Sequence, residues 1–133
     1  MHRKKYLKVV WEEAPDVGCS IRDILTKLGS NNIIFGNLFF YRSFNSSSNA
    51  YARIWGLPRL WQKALKINPS YIIEVISEKF DNVSKSKKDE ILIHEISHIP
   101  KNFSGSLLPH IRKKGKRNFK EKLENLINIY NKN

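Results

Sequence analysis

Short apolar segments bounded by turn residues predict four β-strands in the first part of the chain, at Tyr6–Trp11, Asn32–Arg42, Tyr51–Trp55 and Ser70–Ser77. Isoleucine, valine and aromatic side chains, which favour extended backbone, are concentrated in these segments. Within the second segment we expect Gly36 to form a β-bulge. The polar segment Asn45–Asn49 is short enough to be the tip of a hairpin.

Between the strands, apolar residues at spacings of three and four predict an N-terminal helix. Glu12–Gly18 contains a proline and a glycine and is expected to be a turn. The capping-box pattern Ser20-Ile21-Arg22-Asp23 follows it and predicts the start of the helix, which Gly29 ends. Leu60–Ile67 fits a short helix or a strand, and the pattern leaves both open.

The second half of the chain is predicted to be mainly helical. Another capping-box pattern, Ser86-Lys87-Lys88-Asp89, begins a helix that is apolar on most sides and that Pro100 stops just after His98. The last segment has apolar residues at helical spacing and predicts an amphipathic C-terminal helix that carries Phe119, Leu123, Leu126, Ile127 and Tyr130. Strands and helices of these lengths predict a small α+β fold.

The composition is that of a globular protein. The chain has 133 residues, of which 41% are hydrophobic, so we expect one domain over residues 1–133. No apolar segment approaches the length of a membrane span or of a signal-peptide core, and a membrane is not an expected partner. Cys19 is the single cysteine, which excludes an intramolecular disulfide and makes the cytoplasm the expected compartment.

The motif most closely tied to a chemistry is His94-Glu95-Ile96-Ser97-His98, a HExxH sequence. Residues four apart lie on one face of a helix, so His94 and His98 can offer two imidazole nitrogens to one metal ion. Glu95 lies at the edge of the same face, where its carboxylate can hold a water molecule. This is the arrangement of a zinc metallopeptidase, with two ligands and a general base in one helical turn.

A catalytic zinc ion usually has three protein ligands, and His110 is the expected third. It follows His98 by twelve residues, and apart from His2 it is the only other histidine. Glu121 or Glu124 in the C-terminal helix is the alternative, as in peptidases with a downstream glutamate ligand. A purely structural site needs a fourth ligand, for which Cys19 is the only plausible residue.

The charge is strongly positive, with 24 lysines and arginines against 12 acidic residues. A net charge of +12 favours polyanionic partners, and nucleic acid is the first candidate. A solvated lysine-rich surface without a ligand is the alternative. A dense basic run follows His110, and weak, non-specific nucleic-acid contact is expected from Arg112, Lys113, Lys114, Lys116 and Arg117.

The segment from His94 to His110 resembles a family of archaeal predicted zinc metallopeptidases, whose motif is HExxHIPxxFSG with a following histidine. The resemblance includes Ala52–Gln62 and Tyr71–Phe80, and thus most of the chain after Phe40. It implies a compact zincin-like fold in which a small twisted mixed sheet packs on a buried HExxH helix, with an N-terminal and a C-terminal helix. A more distant similarity is to SprT-like proteases, which cut proteins bound to DNA.

These observations predict a zinc metallopeptidase with one Zn²⁺ per chain and a protein or peptide substrate. Zinc lowers the pKa of its bound water, and Glu95 accepts the proton and passes it to the leaving amine. Arg112 is a candidate for stabilising the oxyanion. In zincin-like folds a sheet edge pairs with the extended substrate, and Tyr51–Trp55 is the expected edge. The alternative function is a basic nucleic-acid-binding protein with a structural or vestigial zinc site; an intact Glu95 favours the peptidase.

Overall fold

The protein is an α+β structure, as the sequence predicts. The computed structural model describes residues 7–110 and 119–132, and all their side chains except those of residues 119–122. In chain order the elements are β1 (Val10–Glu13), α1 (Pro15–Leu28), a 3₁₀ turn (Phe35–Asn37), β2 (Leu38–Phe44), β3 (Ala52–Gly56), α2 (Arg59–Leu65), β4 (Tyr71–Ile76), α3 (Ser77–Phe80), α4 (Lys85–Ile96) and α5 (Phe119–Lys132).

The four strands form one mixed sheet in the order β1-β2-β4-β3. β1 and β2 are antiparallel, β2 and β4 are parallel, and β4 and β3 are antiparallel. β3 is therefore an edge strand, which confirms the sheet edge predicted at Tyr51–Trp55. The pairing of this edge with a substrate stays a prediction. The hairpin predicted at Asn45–Asn49 is wrong, because β4 lies between β2 and β3 and separates the two strands that this segment connects.

The start of the chain differs from the prediction in two boundaries. Within the described residues β1 begins at Val10 and continues to Glu13, because Glu12 and Glu13 pair with β2 instead of forming a turn. α1 begins at Pro15, five residues before the predicted Ser20. The fixed φ of proline suits the first turn of a helix, so Pro15 starts α1 rather than bending the chain. Gly29 ends the helix with a φ of 61°, as predicted.

Two further segments are settled by the structure. The second strand begins at Leu38 and not at Asn32, and Gly36 lies in the preceding 3₁₀ turn instead of a bulge. The ambiguous segment Leu60–Ile67 contains the short helix α2. The Gln62 amide donates to the Pro58 carbonyl at 3.0 Å, which closes the first turn of that helix.

The core lies between one face of the sheet and the helices α1, α4 and α5. The sheet contributes alternate residues of its strands, and the helices contribute residues at spacings of three and four. The buried members on the sheet include Leu38, Ala52, Tyr71, Ile73 and Val75, and those on the helices include Val17, Ile21, Ile24, Leu92, Ile93 and Ile96. Leu123, Leu126, Ile127 and Tyr130 of α5 pack against this core, which confirms the amphipathic C-terminal helix. Within residues 7–110 and 119–132, none of the helices has the length and hydropathy of a membrane-spanning segment.

The opposite face of the sheet holds a buried carboxylate, Glu74, at the centre of β4. Its side chain is almost fully enclosed, and the Arg53 guanidinium donates to both oxygens at 3.2 and 3.1 Å. The indole N–H groups of Trp11 and Trp55 donate to the same carboxylate at 3.1 and 2.8 Å. Burial raises the pKa of Glu74, but hydrogen bonds from Arg53, Trp55 and Trp11 outweigh it and hold the pKa below its usual value. Glu74 thus joins both edge strands to the middle of the sheet.

Replacing this carboxylate should weaken the sheet. We expect Glu74→Gln to lower the free energy of unfolding by about 2 kcal/mol at pH 7, because charge-assisted hydrogen bonds are lost while the shape is kept. Glu13→Gln on exposed β1 is the matched control and should change it by less than about 0.5 kcal/mol. Urea unfolding followed by tryptophan fluorescence measures both.

The pH dependence of this effect has a definite sign. A carboxyl group with a lowered pKa in the folded state stabilises the protein above the pKa of the unfolded chain. That stabilisation disappears as the pH falls through the lower, folded pKa. The difference between wild type and Glu74→Gln should therefore be constant near neutrality and shrink below the usual pKa of 4.5. A difference that grows in acid contradicts this account.

Candidate metal centre

The helix that carries the HExxH motif begins directly after a side-chain cap. α4 starts at Lys85, and the hydroxyl of Ser84 accepts a hydrogen bond from the Lys87 amide at 3.2 Å. The N-cap is therefore Ser84 and not the predicted Ser86, which lies inside the helix. Ser84 has the extended backbone that an N-cap requires, and its hydroxyl is three residues before the amide that it accepts from.

The second histidine lies just beyond the helix. α4 ends at Ile96, and the amides of His98 and Ile99 donate to carbonyls three residues back, to Glu95 and Ile96. The predicted end after His98 is thus two residues late. Ile99 precedes Pro100, and a residue before proline avoids the α conformation, so the last turn tightens. The tight turn still keeps the two rings together, since the centroids of His94 and His98 are 5.2 Å apart.

The loop after this turn brings the third histidine back to the other two. The Leu108 amide donates to the His98 carbonyl at 2.7 Å, and His98 Nδ1 donates to the Leu108 carbonyl. Two residues later, His110 Nε2 lies 3.0 Å from His94 Nε2. The rings of His98 and His110 are 4.4 Å apart between centroids. One ligand atom from each of the three histidines lies within 4.8 Å of the other two.

This arrangement fits a metal ion that favours imidazole nitrogen. Two nitrogens bound to one tetrahedral ion at about 2.0–2.1 Å lie about 3.3–3.4 Å apart, close to the separation of the His94 and His110 nitrogens. A carbonyl can only accept, so the neutral form of the His98 ring has its proton on Nδ1 and its lone pair on Nε2. Burial, together with the neighbouring His98 and His110, lowers the pKa of His94 to about 4. A neutral imidazole is the form that binds a metal.

Glu95 lies beside the three histidines and is largely buried. One of its carboxylate oxygens is 4.0 Å from His94 Nε2. Burial raises the pKa of Glu95 to about 7. A carboxylate with a pKa near neutrality is suited to accept and return a proton, whereas an exposed glutamate is a weak base. A bound dication would lower this pKa again through its charge.

The histidines and Glu95 line a cleft of about 890 Å³. One wall is formed by residues 50–55, which include most of the edge strand β3. Another is formed by residues of α4 and of the turn that follows it, between Lys87 and His98. The remaining lining comes from residues 107–110 and from Leu123 and Ile127 of α5. Most of this lining is apolar, so the cleft combines an apolar surface with one cluster of ligating side chains, as binding sites commonly do.

The other candidate residues do not join this cluster in the part of the chain that the structure describes. His94, His98 and His110 form the one group there of three or more ligating side chains around a common point. Glu124 and Cys19 are outside that group, and Cys19 is exposed on α1. The side chain of Glu121 lies outside the described residues. So does the basic run of Arg112, Lys113, Lys114, Lys116 and Arg117, whose nucleic-acid contact stays a prediction.

Sequence reasoning missed the contacts that fix the loop before His110. The Leu108 carbonyl orients His98, while Tyr71 and Gln62 hold the preceding residues. A signal for Tyr71 was present, because a tyrosine on the buried side of a strand needs a hydrogen-bond partner for its hydroxyl. No pattern identified that partner, which lies more than thirty residues away in the chain.

The chain also matches a known family over most of its length. Residues 9–126 fit the family model described as "Putative phage metallopeptidase". The chain belongs to this metallopeptidase family. No curated protein and no solved structure shows significant similarity to it. Membership confirms the predicted class, which implies a metal ion and peptide or protein substrates; the archaeal and SprT-like relationships stay predictions.

Proposed function

We propose that this member of the family is a zinc-dependent peptidase, folded as one zincin-like domain over residues 1–133. In this proposal His94, His98 and His110 bind one Zn²⁺, and Glu95 is the general base. The observation that carries it is the convergence of three imidazoles beside a buried carboxylate in one cleft. Family membership supports the same conclusion independently of the geometry.

The donor set favours a catalytic over a structural zinc ion. Structural zinc is usually enclosed by four protein ligands, whereas catalytic zinc has three and leaves one position open. Among the described residues the cluster contains three histidines and no cysteine or carboxylate ligand. It also opens onto the cleft, which gives a substrate access to the remaining position.

Hydrolysis would require a proton to move from water to the leaving amine. A zinc ion held by the three histidines would act as a Lewis acid and lower the pKa of water in the site. Glu95 accepts that proton, because its carboxylate lies next to the ligands and burial raises its pKa toward neutrality. Glu95 then donates the proton to the amine. The Nδ1 hydrogen bond of His98 holds that imidazole in one orientation throughout.

The edge strand β3 is the proposed binding surface for the peptide backbone. β3 pairs with β4 on one side, and its other side borders the cleft within the described part of the chain. An extended peptide can add to such an edge through main-chain hydrogen bonds, which require no particular sequence. The apolar side chains of Ile91, Leu107, Leu123 and Ile127 then face the substrate from the other walls.

Metal analysis tests the ligand set. Purified wild type should contain about one zinc ion per chain, and His94→Ala, His98→Ala and His110→Ala should each remove it or weaken its binding strongly. His2→Ala is the matched control, because His2 is the remaining histidine and should leave zinc binding unchanged. Retained zinc in His110→Ala, with loss in Glu121→Ala or Glu124→Ala, would reverse the assignment of the third ligand.

Glu95→Gln tests the base. It keeps the size of the side chain and leaves the three histidines in place, so zinc should stay bound while peptide hydrolysis falls by at least about a hundredfold. Glu90→Gln is the control, since Glu90 is exposed in the wall of the same cleft. A quenched-fluorescence peptide library, with zinc content measured in parallel, gives the comparison. Equal rates for wild type and Glu95→Gln would exclude Glu95 as the base.

A further inference from the structure

We infer that Tyr71 is a positioning residue for the metal centre. Its hydroxyl fixes the loop that carries His110. This inference rests on the proposed function, in which His110 is a zinc ligand. Tyr71 is the first residue of β4, and its side chain is only 1% exposed. It lies outside the metal cluster, so its effect on the metal must pass through the loop.

The hydroxyl of Tyr71 makes two hydrogen bonds to the backbone of this loop. It accepts from the Gly105 amide at 2.8 Å and donates to the Ser106 carbonyl at 2.8 Å. Burial raises the pKa of Tyr71, which keeps the hydroxyl protonated and able to donate. One side chain thus satisfies a donor and an acceptor on consecutive residues, and it fixes the direction of the chain at that point.

Neighbouring contacts hold the loop at the same place. The side-chain amide of Gln62 donates to the Ser104 carbonyl at 2.9 Å and to the Leu57 carbonyl at 2.7 Å. Gly56 and Gly105 approach so closely that a Cβ added to Gly56 would lie 2.0 Å from the Gly105 oxygen. Gly105 itself has a φ of 95°, a conformation that other residues rarely adopt. The loop is therefore attached over three consecutive residues.

Only a few residues of the chain separate this attachment from His110. Ser106 lies two residues before Leu108, which pairs with His98, and four residues before His110. His94 is on α4, and His98 is in the turn that continues that helix, so the helix sets the positions of both. The position of His110 is set by the loop. Loss of the attachment should therefore act mainly through His110, with a smaller effect on His98, whose ring is oriented by the Leu108 carbonyl of the same loop.

The aromatic ring has a separate role that a phenylalanine can keep. The rings of Tyr71 and Phe103 pack edge to face, with centroids 4.9 Å apart, and both are buried in the core. Tyr71→Phe removes the hydroxyl and leaves that packing in place. Gln62→Ala tests the same attachment from the partly exposed helix α2, without a change in the core.

The experiment is a double-mutant cycle on zinc affinity. The dissociation constant is measured by competition with a chelator for wild type, Tyr71→Phe, His110→Ala and the double variant. Tyr71→Phe should weaken zinc binding about tenfold in the wild-type background, as expected when a group that orients a ligand is removed. In the His110→Ala background, Tyr71→Phe should weaken zinc binding by less than about twofold, because the ligand that Tyr71 positions is absent.

A second pair of variants separates positioning from a general loss of stability. Gln62→Ala should show the same dependence on His110. Tyr130→Phe is the matched control. It removes a hydroxyl that donates to Asp89 at 2.7 Å and, among the described residues, makes no contact of this kind with the loop. It should leave zinc affinity unchanged even where it lowers the melting temperature.

The outcomes separate this inference from the proposed function. Equal weakening by Tyr71→Phe in both backgrounds, or no weakening in either, overturns the positioning role while leaving the zinc site intact. Zinc affinity that does not change in His110→Ala overturns the ligand assignment, and the positioning role fails with it. Weakening that depends on His110 supports both.

Discussion

The pairing of His98 with Leu108 joins the two parts of the chain from which the candidate metal centre is built. The backbone bond from the Leu108 amide to the His98 carbonyl fixes the start of the segment that returns to α4. The bond from His98 Nδ1 to the Leu108 carbonyl sets the orientation of the ring and leaves the lone pair on Nε2. The same contact therefore orients one histidine and delivers another, and the cluster depends on it.

Burial gives the site its electrostatic character. It lowers the pKa of His94 and raises that of Glu95, because a low-dielectric environment disfavours charge of either sign. His94 is consequently uncharged near neutral pH, and Glu95 holds a proton more readily than an exposed glutamate does. A dication would bring positive charge to this buried site, and the imidazole of His94 is already in the neutral form that binds it. The buried Glu74 on the other face of the sheet shows the opposite case, in which hydrogen bonds keep a carboxylate charged.

The sequence predicted the parts of the site that depend on local spacing. The four-residue separation of His94 and His98 and the scarcity of histidine were enough to single out the three residues that the structure brings together. Strand order was not predictable from local pattern, since β4 inserts between β2 and β3 only through tertiary packing. A loop before His110 was expected from the sequence, but its backbone conformation and its contacts were beyond prediction. It contains Phe103 at a φ of 48°, a conformation rare for a buried aromatic residue, which the surrounding contacts impose.

The most direct test of the three-histidine centre is X-ray absorption spectroscopy at the zinc edge, on the zinc-loaded protein. The account predicts a first shell of nitrogen and oxygen at about 2.0–2.1 Å, with outer-shell scattering from three imidazole rings. The His110→Ala variant should lose one of these rings. A sulfur scatterer at about 2.3 Å, or a spectrum fitted by fewer than three imidazoles in the wild type, would contradict it.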